Sequence, residues 1–498
     1  MKAAMGTLPG SIRRRRSSRG PAPSRLSRRE CLASFLPFLV CPSRVLNGAP
    51  ARPNILFIMI DTLRSDHVAC YGYSKPTTPN LDRLAREGVR FATFRSASPW
   101  TMPSLMTMFS SLHPTVHGAT NYQRRASLKV PTLAERLKRL GYARTVGIVG
   151  NPTVNSRYGF AQGFDVYDDY TIFFAHELGV FDAAGAERPR SVVDSVTSQT
   201  VTRMGAEWLT KHRTESPWFL FLLYFDPHSA YVPPPPWHRK FDPHPDAPGR
   251  NRAVQASDLM GKKVAPDRLE HVVALYDGEI GYTDHCIGAL LARLDALGLR
   301  DDTLVVVVSD HGEEFLDHGG FLHGRSLYEE LTRAVLLLRC PGRLPAGKVV
   351  SVPAAHLDLT PTLLECVGEK PDPECQGVSR LPQMLGAESG RPAADPEPCF
   401  LEGATKESLR AVILGRHKLI RDVESGQEEL YDLDADPGER NNTAVKQPDV
   451  CAKLRGVLKS HVDQCSEAAK RYQIEGEGAR PQLTRRDIET LRALGYLQ

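Results

Sequence analysis

Three short segments contain the residues best placed to do chemistry. Asp61 closes the run Asn54–Ile60, and Asp310-His311 follows Thr303–Val308. Thr101 sits in the turn Ser98-Pro99-Trp100-Thr101-Met102-Pro103-Ser104. An Asp and a His delivered together at a strand end can share one divalent cation, and Gly312 lets the backbone turn tightly beside them. Read alone, Asp61 is an N-cap for the next turn; beside the Asp-His pair it reads as a further ligand. Thr101 or Ser104 could likewise cap the helical stretch Leu105–Ser111. At a helix N-terminus beside a cation, however, the Thr101 hydroxyl is a nucleophile at neutral pH. The chemistry implied is metal-dependent hydrolysis of oxyanion esters.

These residues need a scaffold that brings distant segments together. The runs Asn54–Ile60, Trp218–Phe225, Thr303–Val308 and Val335–Leu338 are continuously apolar and of strand length, as expected of strands buried on both faces of a parallel sheet. Helical patterns over Asn80–Glu87, Leu133–Leu140, Ser191–Lys211 and Asp277–Leu297 lie between them. The alternation predicts an α/β fold with a doubly wound, mostly parallel sheet. Asp61, Asp226 and Asp310 then fall at carboxyl ends of strands, where such folds place their sites. Glu313 and Glu314 read as acids in the first turn of a following helix. The Pro-rich segment from Val232 to Gly249 reads as an extended loop, either a plain surface excursion or a lip over the substrate. Beyond Cys366 an antiparallel hairpin over Leu409–Asp422 and Glu428–Asp434, then a helix over Ala444–Tyr472, predict a smaller C-terminal α+β domain. The division expected is residues 1–51, 52–365 and 366–498.

The formal charge of +5 over 498 residues misleads. Residues 1–51 hold ten Lys/Arg and one Glu, a net +9, which leaves −4 for the remainder. The body therefore shows no nucleic-acid footprint. Within the leader, Ser27-Arg28-Arg29-Glu30-Cys31-Leu32 precedes the apolar stretch Ala33–Val40 and the small-residue site Ala49-Pro50-Ala51. This pattern is similar to a twin-arginine signal and predicts folded export from a bacterial cell, to the periplasm or beyond. No apolar segment reaches the ~18 residues of a membrane span. Eight cysteines follow the leader without a CxxC pair, which argues against a zinc knuckle; bridges among the last five are open.

The motifs together resemble the sulfatase branch of the alkaline phosphatase superfamily over residues 53–498. IDTLRSDHVACYGY, PWTMPSLMTMFSSLHPTVHG, YFDPHSAYVPP, YDGEIGYTDHCIGALL, VVVSDHGEEFLDHG and GRSLYEELTRAVLLL follow the family's segments in order, and ELYDLDADPGERNN and LRALGYL resemble its C-terminal part. The resemblance implies Asp61, Asp310 and His311 as metal ligands, Thr101 as nucleophile, and His228 and His323 as groups that contact the oxyanion or protonate the leaving group. It adds Asp226 as a ligand of a second metal. Three departures stand out. Thr101 replaces the Cys or Ser that sulfatases oxidise to formylglycine, and a secondary alcohol cannot yield that aldehyde. Leu105 replaces an Arg of the family pattern, and Thr62 replaces a second Asp. The expected cofactor is a divalent metal, Zn, Mn or Ca, as one ion or two. Phosphate or phosphonate esters are the favoured substrates, of a small-molecule, glycan or lipid alcohol. Sulfate-ester hydrolysis, phosphoryl transfer and a silent glycan-binding relative are the alternatives.

Overall fold

The computed structural model describes residues 52–169, 197–248, 263–370, 372–387, 396–472 and 480–485, with Val254, Leu259 and Ile488 besides. The leader 1–51, the start of the helix expected from Ser191, and the closing LRALGYL lie outside the described residues.

Seventeen strands are described in four sheets. They are β1 (Asn54–Ile60), β2 (Val89–Phe91), β3 (Phe94–Arg95), β4 (Arg144–Val149), β5 (Val166–Asp168), β6 (Trp218–Tyr224), β7 (Thr303–Ser309), β8 (Glu314–Phe315), β9 (Phe321–Leu322), β10 (Arg333–Ala334), β11 (Leu336–Arg339), β12 (Lys348–Val350), β13 (Ala354–Ala355), β14 (Cys399–Glu402), β15 (Leu409–Leu414), β16 (His417–Asp422) and β17 (Glu428–Asp432). The main sheet has the order β12-β2-β11-β7-β1-β6-β4-β5. β1 lies at its centre, parallel to β6 on one side and β7 on the other. All three are fully buried, because helices cover both faces of the sheet.

Strand pleating sends alternate side chains into two cores. Ile55, Phe57 and Met59 join Leu105 and Phe109 on one face, where the helix Thr101–Ser110 packs. Leu56, Ile58 and Ile60 join Val201, Leu209 and Ile287 on the other, beneath the helices Ser198–His212 and Pro266–Ala296.

Several expectations change in detail. The run at Val335–Leu338 forms β11, which is antiparallel to both β7 and β2, so the sheet is mixed. The helix predicted from Asp277 starts at Pro266. Leu409–Asp422 is two strands joined at Gly415, whose φ of 61° permits the tight turn. With β14 and β17 they make a four-stranded antiparallel sheet, against which the helix Pro448–Ala469 packs through Leu454 and Leu458. Glu313 and Glu314 start no helix: Glu314 opens β8, paired with β9 in a short hairpin. All eight described cysteines are free thiols, so no bridge forms among the last five. The Pro-rich loop folds into the turn of helix Trp237–Lys240, and a Cβ on Gly278 or Gly281 of the long helix would collide with Trp237. Among the described residues, no helix is long and apolar enough to cross a membrane.

Candidate active site

Asp61 and Asp310 leave neighbouring strands at the same level, since Ile60 stands opposite Ser309 in the ladder. Both carboxylates are fully buried, on the face that also holds the helix Thr101–Ser110. With His311 they form a group whose donor atoms all lie within 4.8 Å of one another. His311 Nδ1 lies 2.8 Å from the Gly312 carbonyl. A carbonyl can only accept, so Nδ1 carries the proton and the Nε2 lone pair faces the carboxylates. Nε2 stands 3.4 Å from Asp310 Oδ2 and 3.9 Å from Asp61 Oδ1. Gly312 is needed for a close approach rather than a special φ: a Cβ there would sit 1.9 Å from the Glu330 carbonyl oxygen.

The chain after β1 is held in a costly shape. Thr62 has φ of 50°, in the left-handed region that a β-branched residue avoids. Its amide donates to Asp310 Oδ1 at 3.0 Å, and its carbonyl accepts from the Tyr276 hydroxyl at 2.6 Å. The His311 amide also donates to Asp310 Oδ1, and Asn151 Nδ2 donates to Asp61 Oδ2 at 2.5 Å. Asp310 Oδ2 and Thr62 Oγ1 are buried with no hydrogen-bond partner. Burial, then the charge of Asp310, pushes the Asp61 carboxyl well above the ordinary range; burial likewise raises Asp310. Two sequestered carboxylates with an unsatisfied oxygen and an inward imidazole lone pair make a donor set that fits a divalent cation.

Thr101 is the first residue of its helix, and its side chain does not cap it. Its Oγ1 lies 3.5 Å from Asp61 Oδ1 and 3.3 Å from His311 Nε2. Ser104 turns away, donating to the Ser98 carbonyl at 2.7 Å. Leu105 is fully buried in the apolar core.

His323 and His228 complete the cluster. The His323 ring lies 4.5 Å from that of His311 and 5.0 Å from that of His228, centre to centre. Burial, then the charge of Arg325, lowers His323 to about 3; burial, then His323, lowers His228 to about 4. His228 Nδ1 meets the Ser229 carbonyl at 2.7 Å, and Phe225 stacks on its ring.

The sequence marks Glu313 only as a helix-capping acid and does not mark Asn151 at all. Glu313 Oε1 lies 2.8 Å from His323 Nδ1, and Oε2 accepts from the Tyr231 hydroxyl at 3.0 Å. Burial pushes Glu313 to about 7, against the lowering effect of His228 and Tyr231. The pair is an extension of the β8–β9 register: Glu314 stands opposite Leu322, so Glu313 and His323 are the next residues across. The hairpin signal Asp317-His318-Gly319-Gly320 could have revealed it; nothing comparable marks Asn151.

Asp226 is the exception among the expected site residues. The structure does not bring it to the Asp61–Asp310–His311 group. Its carboxylate accepts from the Thr197 and Ser198 amides at 3.0 and 2.7 Å and from Ser198 Oγ at 2.5 Å, at the N-terminus of the helix Ser198–His212. Asp226 therefore stands apart from the acidic group, with its oxygens engaged by the Thr197 and Ser198 donors. It serves the helix on the other face of the sheet.

Comparison with known proteins agrees with this architecture. The family model described as Sulfatase matches residues 53–369, and that described as N-sulphoglucosamine sulphohydrolase, C-terminal, matches residues 317–468. The chain is 26% identical to a choline-sulfatase of Rhizobium meliloti over 442 residues, covering 79% of this chain and 82% of that one. The phosphonate monoester hydrolase of Agrobacterium radiobacter superposes with a TM-score of 0.69 at 21% identity, covering 83% of this chain and 96% of that one. That of Silicibacter pomeroyi gives 0.69 at 21%, covering 86% and 99%.

Proposed function

Since the chain belongs to the sulfatase family of hydrolases, we propose that it cleaves phosphate or phosphonate esters through Thr101. The observation that carries this reading is the Thr101 hydroxyl 3.5 Å from Asp61 and 3.3 Å from His311, at the first turn of a helix. Asp61, Asp310 and His311 would hold one divalent ion of the zinc or manganese class, which supplies charge neutralisation and lowers the pKa of a nearby hydroxyl.

Thr101 gives up its hydroxyl proton to solvent before the ester binds, and Oγ1 attacks the phosphorus opposite the leaving alcohol. The bond from phosphorus to the ester oxygen breaks, and its electron pair leaves with that oxygen. His323, a neutral imidazole, donates the Nε2 proton that completes the alcohol, and Glu313, lifted to about 7, supplies one to Nδ1 in its place. The free amides of the Thr101 helix face the developing negative charge. Water, giving one proton to His323, then attacks the phosphothreonine; the bond from phosphorus to Oγ1 breaks, its electron pair stays on Oγ1, and phosphate or phosphonate is released. His228, stacked on Phe225, contacts the anion from the far side of His323. Leu105 leaves the anion without the family's guanidinium at that position.

A sulfate ester is the second reading, favoured by the match to a choline-sulfatase over 79% of the chain. A secondary alcohol cannot become an aldehyde, so the sulfo-enzyme could not be released by the elimination open to formylglycine. Phosphothreonine yields to water more readily, and this sets the preference. The test is parallel turnover of nitrophenyl phosphate, a phenylphosphonate monoester and nitrophenyl sulfate by metal-reconstituted protein. Faster phosphate or phosphonate turnover that vanishes in Thr101→Ala supports the reading. Faster sulfate turnover, or turnover that survives Thr101→Ala, overturns it.

A further inference from the structure

A second group of metal-type donors is buried away from the active site: His113, His461 and Cys465. A ring nitrogen of each His and Cys465 Sγ lie within 4.8 Å of one another. His461 and Cys465 are one turn apart on the helix Pro448–Ala469, so they share a face, and Sγ is 3.4 Å from His461 Nε2. His113 comes from the opposite direction. The helix that starts at Thr101 ends at Ser111 in a left-handed conformation, and the His113 amide then donates to Gln376 Oε1 at 2.8 Å.

The rings are held in fixed orientations. Phe400 stacks on His461 at 3.6 Å and 2°, and meets His113 edge-on at 6.1 Å. His113 Nδ1 is buried without a hydrogen-bond partner. A stranded imidazole nitrogen beside a thiol is a net cost unless a Lewis acid takes up the lone pairs. In a tetrahedral zinc site, bonds of ~2.0–2.3 Å put neighbouring N and S donors about 3.3–3.6 Å apart. The His461–Cys465 separation already has that value. All three side chains line a cavity of about 450 Å³, which leaves room for a fourth ligand such as water.

We propose that His113, His461 and Cys465 form a second metal site of the zinc class, built from two imidazoles and a thiolate. It ties the C-terminal helix to the segment behind the helix that bears Thr101. Binding exchanges the Cys465 thiol proton, which leaves to solvent, for a metal–sulfur bond. This site shares no ligand with the acidic one, so either can stand without the other.

The test uses full-length protein stripped with chelator and reloaded with Co²⁺. A thiolate-to-cobalt charge-transfer band in the near ultraviolet is expected in the wild type and in Asp310→Asn. It should be lost in Cys465→Ser, with one fewer bound metal per chain. Cys465→Ser should keep ester hydrolysis within about twofold, and zinc should raise the melting temperature of Asp310→Asn but not that of the double variant Asp310→Asn with Cys465→Ser. Should either single variant fold poorly, the wild-type spectrum alone still decides, because the acidic group contains no sulfur. A wild type that fills with cobalt but shows no thiolate band overturns the proposal.

Discussion

Asp310 and Asp226 occupy equivalent places, just past buried strands on either side of β1, yet their surroundings differ in kind. Asp310 lies on the face of the Thr101 helix, beside a second buried carboxylate, with one oxygen left unpaired. Asp226 lies on the face of the Ser198 helix, and the free amides of that helix N-terminus saturate it. A strand-end carboxylate is thus not a ligand by position alone. What separates the two is which face the pleat selects and whether hydrogen-bond donors already fill the carboxylate.

The sharpest way to break the comparison is on the Asp310 face. Thr101→Ala should cost roughly 10³-fold or more in kcat/KM with the fold retained, as loss of a nucleophile does. Thr101→Ser, which keeps the hydroxyl, should recover most of that activity. Next, Asp310→Asn should lose the metal of the acidic site, one fewer per chain, and nearly all turnover, whereas Asp226→Asn should keep both within a few-fold. Metal content by mass spectrometry alongside turnover checks the pair. Equal losses in the two variants would erase the distinction between the faces.

The sequence revealed much of this arrangement because contiguous motifs carried it. The apolar runs marked β1, β6 and β7, and Asp61, Asp310 and His311 directly followed two of them. The hydroxyl of Thr101 was legible from its turn. What stayed hidden depends on contacts between distant segments. The reversal of β11 cannot be read from an apolar run, which looks alike in either direction. The position of Asp226 at a strand end does not reveal which face of the sheet its carboxylate meets. Glu313 reads as helical because two adjacent acids before an apolar residue suit a first turn as well as they suit a hairpin. Asn151 reaches Asp61 from the end of β4, ninety positions away in the chain. His113 meets His461 and Cys465 only once the C-terminal helix has docked.

A smaller effect lies at the rim of the Asp310 side. If Glu313 fixes the orientation of His323, the proton delivered to the leaving group depends on both. His323→Gln should cost about 10²-fold with an alkyl phosphate, whose alkoxide needs that proton, and far less with nitrophenyl phosphate. Glu313→Gln should show the same leaving-group dependence in weaker form, because the Gln amide can still donate to His323 Nδ1 but cannot pass it a proton. A uniform loss across both substrates would instead place His323 in anion binding, with His228.

The subtlest contrast is in the response of Asp226 to pH. Burial lifts its carboxyl from 3.8 to about 6, although the Ser198 and Thr197 donors pull the other way. Because the folded-state value is raised, between about pH 4 and pH 6 the folded protein retains a proton that the unfolded chain has released. Wild-type stability therefore falls as pH rises through that window and levels off above it. Asp226→Asn cannot titrate, so its stability relative to wild type should climb across the window by no more than about 3 kcal/mol. Urea midpoints at several pH values, in chelator so that metal release does not intrude, isolate the difference. Asp226→Ala, by contrast, strands the Thr197 and Ser198 donors and should lose about 1–3 kcal/mol at any pH, without touching metal content. Parallel wild-type and Asn curves would mean that the helix amides hold the Asp226 charge as well as water does. The faces would then differ only in geometry, and not in the cost of burying a carboxylate.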